Sequence, residues 1–115
     1  MKVFLASGGY LNIDVQCKKA FEDLGHEVFL YNYRPNKLSK IPLNLVRKYY
    51  SKILLKKVFE YNPDFFLIIK GETIPKGIVK KFSSKGIITA NWTLDEPFGE
   101  LYSFNKIHNI EEYDY

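Results

Sequence analysis

Two periods of hydrophobic spacing alternate along the chain, and the switches between them mark out four strands and three helices. Val3, Phe4, Leu5 and Ala6 form an apolar run that Ser7-Gly8-Gly9 interrupts, the pattern of a buried strand entering a tight loop. Asn12 stands where a cap is wanted for the next segment. There Ile13, Cys17, Ala20, Phe21 and Leu24 recur on one helical face before Gly25, a residue suited to a left-handed helix end. Val28 to Tyr31 reads as a second strand, and Asn32 to Pro42, rich in Pro, Asn, Ser and Lys, as a loop. From Leu43 to Asn62 the apolar positions Val46, Tyr50, Ile53, Leu54, Val58 and Tyr61 keep a helical period, with Lys48, Lys52 and Lys56 on another side. Asn62-Pro63-Asp64 ends that helix. Phe65 to Ile69 is apolar at every position, which suits a central parallel strand covered on both faces. Pro75 fits the first turn of a helix that carries Ile78, Val79 and Phe82 and stops at Gly86. Ile87 to Trp92 is then a fourth strand. Leu101, Phe104, Ile107 and Ile110 mark a weaker fourth helical face, and Tyr113-Asp114-Tyr115 the approach to a fifth strand.

Strands alternating with helices imply right-handed crossovers and a mostly parallel sheet. The expected fold class is therefore α/β, an open, doubly wound, Rossmann-like parallel sheet of strand order 2-1-3-4 in three layers, ending before a fifth strand. With 115 residues the chain suits a single domain, 1–115. In that order the first helix covers one face and the other two helices the opposite one. Strands three and four then lack cover on the first helix's side, so a sticky surface and self-association are expected.

Composition narrows the chemistry. No apolar run approaches the ~20 residues that span a bilayer, and the chain opens on a short strand pattern instead of a signal peptide's apolar stretch, so a soluble cytoplasmic protein is expected. Cys17 is the only cysteine, and His26 and His108 are the only histidines. That spacing offers no disulfide framework, cysteine metal cluster or multi-histidine site, and neither metal nor cofactor is expected. The formal charge of +4 is unevenly spread. Arg34, Lys37, Lys40, Arg47, Lys48, Lys52, Lys56 and Lys57 crowd the middle, while Asp95, Glu96, Glu100, Glu111, Glu112 and Asp114 dominate the end. The basic helix reads either as a solvated face or as contact with a membrane surface or nucleic acid; its apolar side must cover the sheet, so the solvated face is the expectation. Only its charge, with Leu45, Tyr49, Leu55 and Phe59, is left over to meet lipid.

Open α/β sheets bind ligands beyond the carboxyl ends of the strands, near the switch in strand order, here between strands one and three. That selects Gly8, Gly9 and Tyr10, then Lys70, Gly71 and Glu72, then Trp92 with Asp95 and Glu96. The two glycines could admit a phosphate, but their spacing is neither a dinucleotide fingerprint nor a P-loop, and Asp14 would repel an anion at the helix start; a plain tight turn is expected. Lys70-Gly71-Glu72 reads as a rim salt bridge worth under ~1 kcal/mol or as a binding turn. Trp92 with Asp95 and Glu96 offers a flat ring for a sugar face beside a carboxylate able to accept a hydroxyl proton. The alternative is a helix cap beneath a core-lidding tryptophan.

From Asn62-Pro63-Asp64 to Pro97 the chain resembles the amino-terminal region of the spore-maturation CgeB-like glycosyltransferases, a branch of the two-domain GT-B enzymes. The resemblance rests on Asn-Pro-Asp, a hydrophobic strand, Lys70-Gly71-Glu72, a Pro-started helix, Lys85-Gly86-Ile87 and Trp92-Thr93-Leu94-Asp95-Glu96-Pro97, in that order. The opening strand, Leu24-Gly25-His26-Glu27-Val28 and Tyr113-Asp114-Tyr115 also fit. Relatives commonly carry two aspartates where this chain has Asp95-Glu96, and a small hydroxyl residue where it has Ile74. The resemblance implies an acceptor-side domain, with nucleotide sugar and acceptor engaged only together with a carboxyl-terminal domain. Position beyond the ends of strands three and four makes Asp95 or Glu96, with Glu72 as the second candidate, the expected base or hydroxyl anchor facing the acceptor, while this chain alone, without the donor half, is expected neither to transfer sugar nor to bind the donor tightly. A non-catalytic α/β interaction or sugar-binding module is the competing reading, and no nucleic-acid partner is expected.

Overall fold

A computed structural model of the chain describes residues 1–9, 12–33, 43–71, 74–93 and 110–115. The elements follow the order β1 (Lys2–Ser7), α1 (Ile13–Asp23), β2 (Glu27–Asn32), α2 (Leu43–Tyr61), β3 (Phe65–Ile69), α3 (Ile78–Ser83) and β4 (Ile88–Trp92), with a 3-10 turn at Ile110–Glu112. All strand pairs are parallel and the order across the sheet is β2-β1-β3-β4, as the alternation of periods predicts. Register pairs Phe4 with Phe29 on one side and Phe66 on the other, and Leu67 with Ala90.

Each helix ends where the sequence can leave the right-handed conformation. Gly25 at φ 86° and Gly86 at φ 78° close α1 and α3, and in both the following residue reaches back five positions, His26 N–H to Phe21 O and Ile87 N–H to Phe82 O. Asn62, at φ 52° before Pro63, does the same work for α2 by donating to Val58 O at 2.9 Å. The helix starts differ from expectation. Asn12 is itself left-handed at φ 60° and makes no side-chain cap, so Asp14 Oδ1 takes the Val15 N–H at 2.8 Å instead. Pro75 lies before α3, not in its first turn, because Gly77 supplies the left-handed N-cap and the helix begins at Ile78.

Side chains of alternate parity build a core on each face of the sheet. Phe4, Phe66 and Ile68 face α2 and α3, where they meet buried Leu54, Val58, Val79 and Phe82. Aromatic rings run through this layer, with centroids 5.8 Å apart for Phe4 and Phe66 and 4.7 Å for Phe66 and Phe82. Leu5, Leu67, Ile69 and Ala90 face the other way, against Ile13, Cys17 and Phe21 of α1. On β4 this second face is thinly covered, and Ile88 and Trp92 remain 47% and 45% exposed.

The final residues lie along the free edge of β4. Tyr115 donates to Thr89 O at 3.1 Å and accepts from Asn91 N–H at 2.9 Å, the alternation of a parallel ladder, so the approach to a fifth strand is already paired. Asp114 Oδ2 accepts from both the N–H and the hydroxyl of buried Thr89, at 2.8 and 2.9 Å. Glu112 grips the Gly77 N–H with both carboxylate oxygens, at 2.8 and 2.9 Å, capping α3 from a distant part of the chain.

The orientation of α2 has a direct test. Leu54 is 1% exposed and Leu45 is 54% exposed. Leu54→Ala is expected to cost about 2–5 kcal/mol in urea denaturation, from lost burial plus the cavity left behind, whereas Leu45→Ala should stay within about 0.5 kcal/mol. Equal losses would mean that the helix is turned the other way.

Candidate functional site

The strand ends at the carboxyl rim are tied together by side chains that the sheet itself does not require. Ser7 is fully buried; its Oγ accepts the Gly9 N–H at 3.1 Å and its carbonyl accepts the Tyr33 N–H at 2.9 Å. Gly8 is buried, and Gly9 sits at φ 75°. The Ser-Gly-Gly turn is thus closed by its own hydroxyl. Asp14 is buried at the start of α1 and already occupies a backbone N–H there, which agrees with the expected tight turn and leaves a negative charge where an anion would enter.

Beyond β3 the chain turns through two consecutive left-handed residues, Lys70 at φ 67° and Gly71 at φ 75°. Left-handed Lys70 costs of order 1–2 kcal/mol, so something must hold it. Two clamps do so. From the end of β2, Tyr33, only 3% exposed, reaches across β1, donates its hydroxyl to Ile69 O at 2.9 Å and accepts the Gly71 N–H at 3.1 Å. From β4, Asn91 Nδ2 donates to Lys70 O at 2.9 Å, while Lys70 N–H closes the ladder on Trp92 O at 2.9 Å. A Cβ at Gly71 would stand 3.1 Å from Asn91 Nδ2 and 3.3 Å from two carbons of Ile68, so a larger residue would crowd the clamp as well as strain a φ of 75°. Asn91 Oδ1 is enclosed and accepts no hydrogen bond among the described residues.

Trp92 ends β4 on the opposite face. With Ile13, Gln16, Cys17 and Ala20 it lines an open groove of about 460 Å³ between the strand and α1. Its ring is neither a core lid nor fully solvated. The Cys17 thiol in this groove is pushed above its ordinary value of 9.0, first by burial and then by the Asp14 carboxylate, so it is neutral at physiological pH.

Of the residues picked from the sequence, the structure brings Gly8, Gly9, Lys70, Gly71 and Trp92 to one rim. Ala6 pairs with Ile68 and Ile69 with Trp92, so the three strands end level. Tyr10, Glu72, Asp95 and Glu96 lie outside the described residues, as do Leu101, Phe104 and Ile107 of the fourth helical face. Tyr33 and Asn91 were not legible from the residue pattern alone. A carboxamide inside an otherwise apolar strand was a signal for Asn91; Tyr33 stands after a strand at the head of a loop and carries none. No cluster of metal-ligating side chains occurs among the described residues. Comparison with protein-family models, with curated proteins and with solved structures finds no match. Fold and rim define the class: an open α/β domain of Rossmann-like type, whose strand ends at the switch point are tied by side-chain hydrogen bonds.

Two measurements probe this rim. Tyr33→Phe removes both hydroxyl hydrogen bonds and leaves the Gly71 N–H and Ile69 carbonyl only the 3.1 Å bond between them, so it is expected to lower stability by about 0.5–1.5 kcal/mol, with Gly71→Ala at least as damaging; unchanged urea midpoints in both would refute the clamp. Alkylation of Cys17, the lone thiol, should be slow at neutral pH and rise with a midpoint above 9.0, because only the thiolate reacts. A midpoint at or below that value would show a thiol not screened by burial and Asp14.

Proposed function

We propose that this chain is the acceptor-side domain of a glycosyltransferase using a nucleotide-sugar donor, of the CgeB-like GT-B kind. The observation that carries the reading is the doubly clamped Lys70-Gly71 turn at the switch point of the sheet, where ligands of this architecture bind. A left-handed lysine and a tightly enclosed glycine are costly to maintain, and strain of this kind gathers at functional sites.

Within this reading Asp95, Glu96 or Glu72 removes the proton from the attacking acceptor hydroxyl, and Trp92 supports a sugar face beside it. A carboxyl-terminal domain supplies most contacts to the donor. Catalysis then consists of positioning two sugars and moving one proton, which needs neither cofactor nor metal from this domain.

A second reading has its own observation. The Trp92 groove is walled by Ile13, Cys17 and Ala20 with Gln16 as its one carboxamide, a composition that fits stacking of a sugar ring without any chemistry. The two are separated by one set of variants in the protein expressed from its complete reading frame, assayed with uridine- and guanosine-diphosphate sugars. Asp95→Asn, Glu96→Gln and Glu72→Gln are made singly. The transferase reading expects one of them to lower kcat by about 10²–10⁴-fold with donor binding nearly intact. Near-parental turnover in all three would sink the catalytic assignment. Saturable sugar binding without turnover, abolished by Trp92→Ala, would establish the binding module instead.

A further inference from the structure

The outward side of α2 carries charge and apolar surface that the fold does not use. Leu45, Tyr49 and Phe59 are 54%, 61% and 38% exposed, and Lys48, Lys52 and Lys56 are exposed among them. Ser51, Leu54 and Val58 are buried against the sheet. At about 100° per residue, Leu45, Tyr49, Lys52, Lys56 and Phe59 therefore share the opposite side of the helix. Leu55, by contrast, packs partly against the core and drops out of the apolar remainder expected from the sequence.

The lysines of the two long helices are treated differently. On α1 each has a carboxylate four residues on, Lys18 with Glu22 at 2.7 Å and Lys19 with Asp23 at 2.6 Å. On α2, Lys48, Lys52 and Lys56 succeed one another at that same spacing, a ladder of like charges that destabilises an isolated helix. Glu60, 3.7 Å from Lys56, is the one carboxylate that meets this ladder among the described residues. Exposed Lys80, Lys81 and Lys85 of the α3 segment extend the charge across the same face of the sheet, and Lys85 shares a shallow cleft with Phe59. The acidic end of the chain answers only its α3 edge, where Glu111 also feels Lys80. Glu111 pairs with Lys76, Glu112 caps α3 and Asp114 holds Thr89.

We propose that this face of α2 and α3 is a docking surface for an anionic lipid bilayer. Two features favour lipid over nucleic acid. The exposed cations are all lysine, compact charges on long apolar stems that can lie along a surface and reach headgroups. Among the described residues of this face, arginine, whose planar fork grips nucleic-acid phosphates, is represented only by half-buried Arg47. Leu45 and Tyr49, one turn apart between lysines, gain from acyl chains and the headgroup boundary and would gain little from a phosphate backbone. No helix among the described residues is long and apolar enough to cross a membrane, and the contact proposed is peripheral. Because α2 runs from the carboxyl end of β2 back to the start of β3, Leu45 and Tyr49 sit at its rim end and Phe59 with Lys85 at the other, so docking lays this layer along the bilayer. The proposal does not depend on the transferase reading.

Flotation of the full chain with vesicles tests it. Vesicles of phosphatidylcholine mixed with phosphatidylserine should carry the protein, vesicles of phosphatidylcholine alone should not, and added salt should weaken binding. Each lysine contributes about fivefold at an anionic surface, so Lys48→Gln/Lys52→Gln/Lys56→Gln should lower partitioning by about a hundredfold. Leu45→Ser/Tyr49→Ser should weaken binding by about tenfold or more while leaving its salt dependence in place. All five positions are solvent-facing, and circular dichroism verifies that both variants keep the parental fold. Absence of flotation on the anionic vesicles at low salt would overturn the proposal. So would flotation indifferent to both variants, or lysine-dependent binding to oligonucleotides with none to vesicles.

Discussion

The need to bury β3 on both faces governs this molecule. A strand that is apolar at every position, Phe65 to Ile69, cannot lie at an edge or on a one-sided sheet without exposing half its side chains. It sits between β1 and β4, with Phe66 and Ile68 inside the α2/α3 layer and Leu67 and Ile69 beneath α1. Right-handed connections then leave one arrangement in which α1 covers one face while α2 and α3 cover the other. The continuous path of rings from Phe4 through Phe66 to Phe82 makes the second of these layers the thicker and better packed. The first layer is correspondingly thin: among the described residues a single helix serves four strands, and Trp92 and Ile88 keep nearly half of their surface in solvent.

The same topology makes the candidate site. Beside the switch between β1 and β3, the chain leaving β3 turns at once through Lys70 and Gly71. Tyr33 and Asn91 come from the strands that flank this point on either side, so the conformation of Lys70 and Gly71 reports on the whole width of the sheet. That double tie is the physical reason for placing the proposed chemistry here and not at the Ser-Gly-Gly turn, which is closed by its own serine and shadowed by Asp14.

Charge is divided by use as much as by position. The acidic residues that end the chain are engaged inside the fold, capping α3 and fastening the last residues to β4, and the Glu111 carboxyl is held below its ordinary value by a backbone hydrogen bond and by Lys76. The lysines on the outward side of α2 and α3 have no comparable structural role. A distribution that looks in the sequence like a basic half facing an acidic half becomes, in three dimensions, one basic face with few carboxylates to answer it.

Period and punctuation determined the architecture. The fully apolar run at Phe65 to Ile69 dictated a central strand, Gly25 and Gly86 dictated helix ends, and handedness reduced the remaining choices to the strand order observed, because each of these is a local preference or a rule of connection. Glycines at 8, 9 and 71, with Lys70 and Trp92, could likewise be placed at the rim from the order of strands alone. What only the tertiary structure decided depends on partners far apart in sequence. Tyr33 and Asn91 become a clamp because strands two and four end level with strand three. Glu112 caps a helix that begins at Ile78 because the chain returns along β4, and Asn12 loses its expected role because a left-handed backbone turns its side chain from the helix it precedes. Local spacing carries no information about such meetings, which exist only once the hydrophobic sheet has brought the strand ends together.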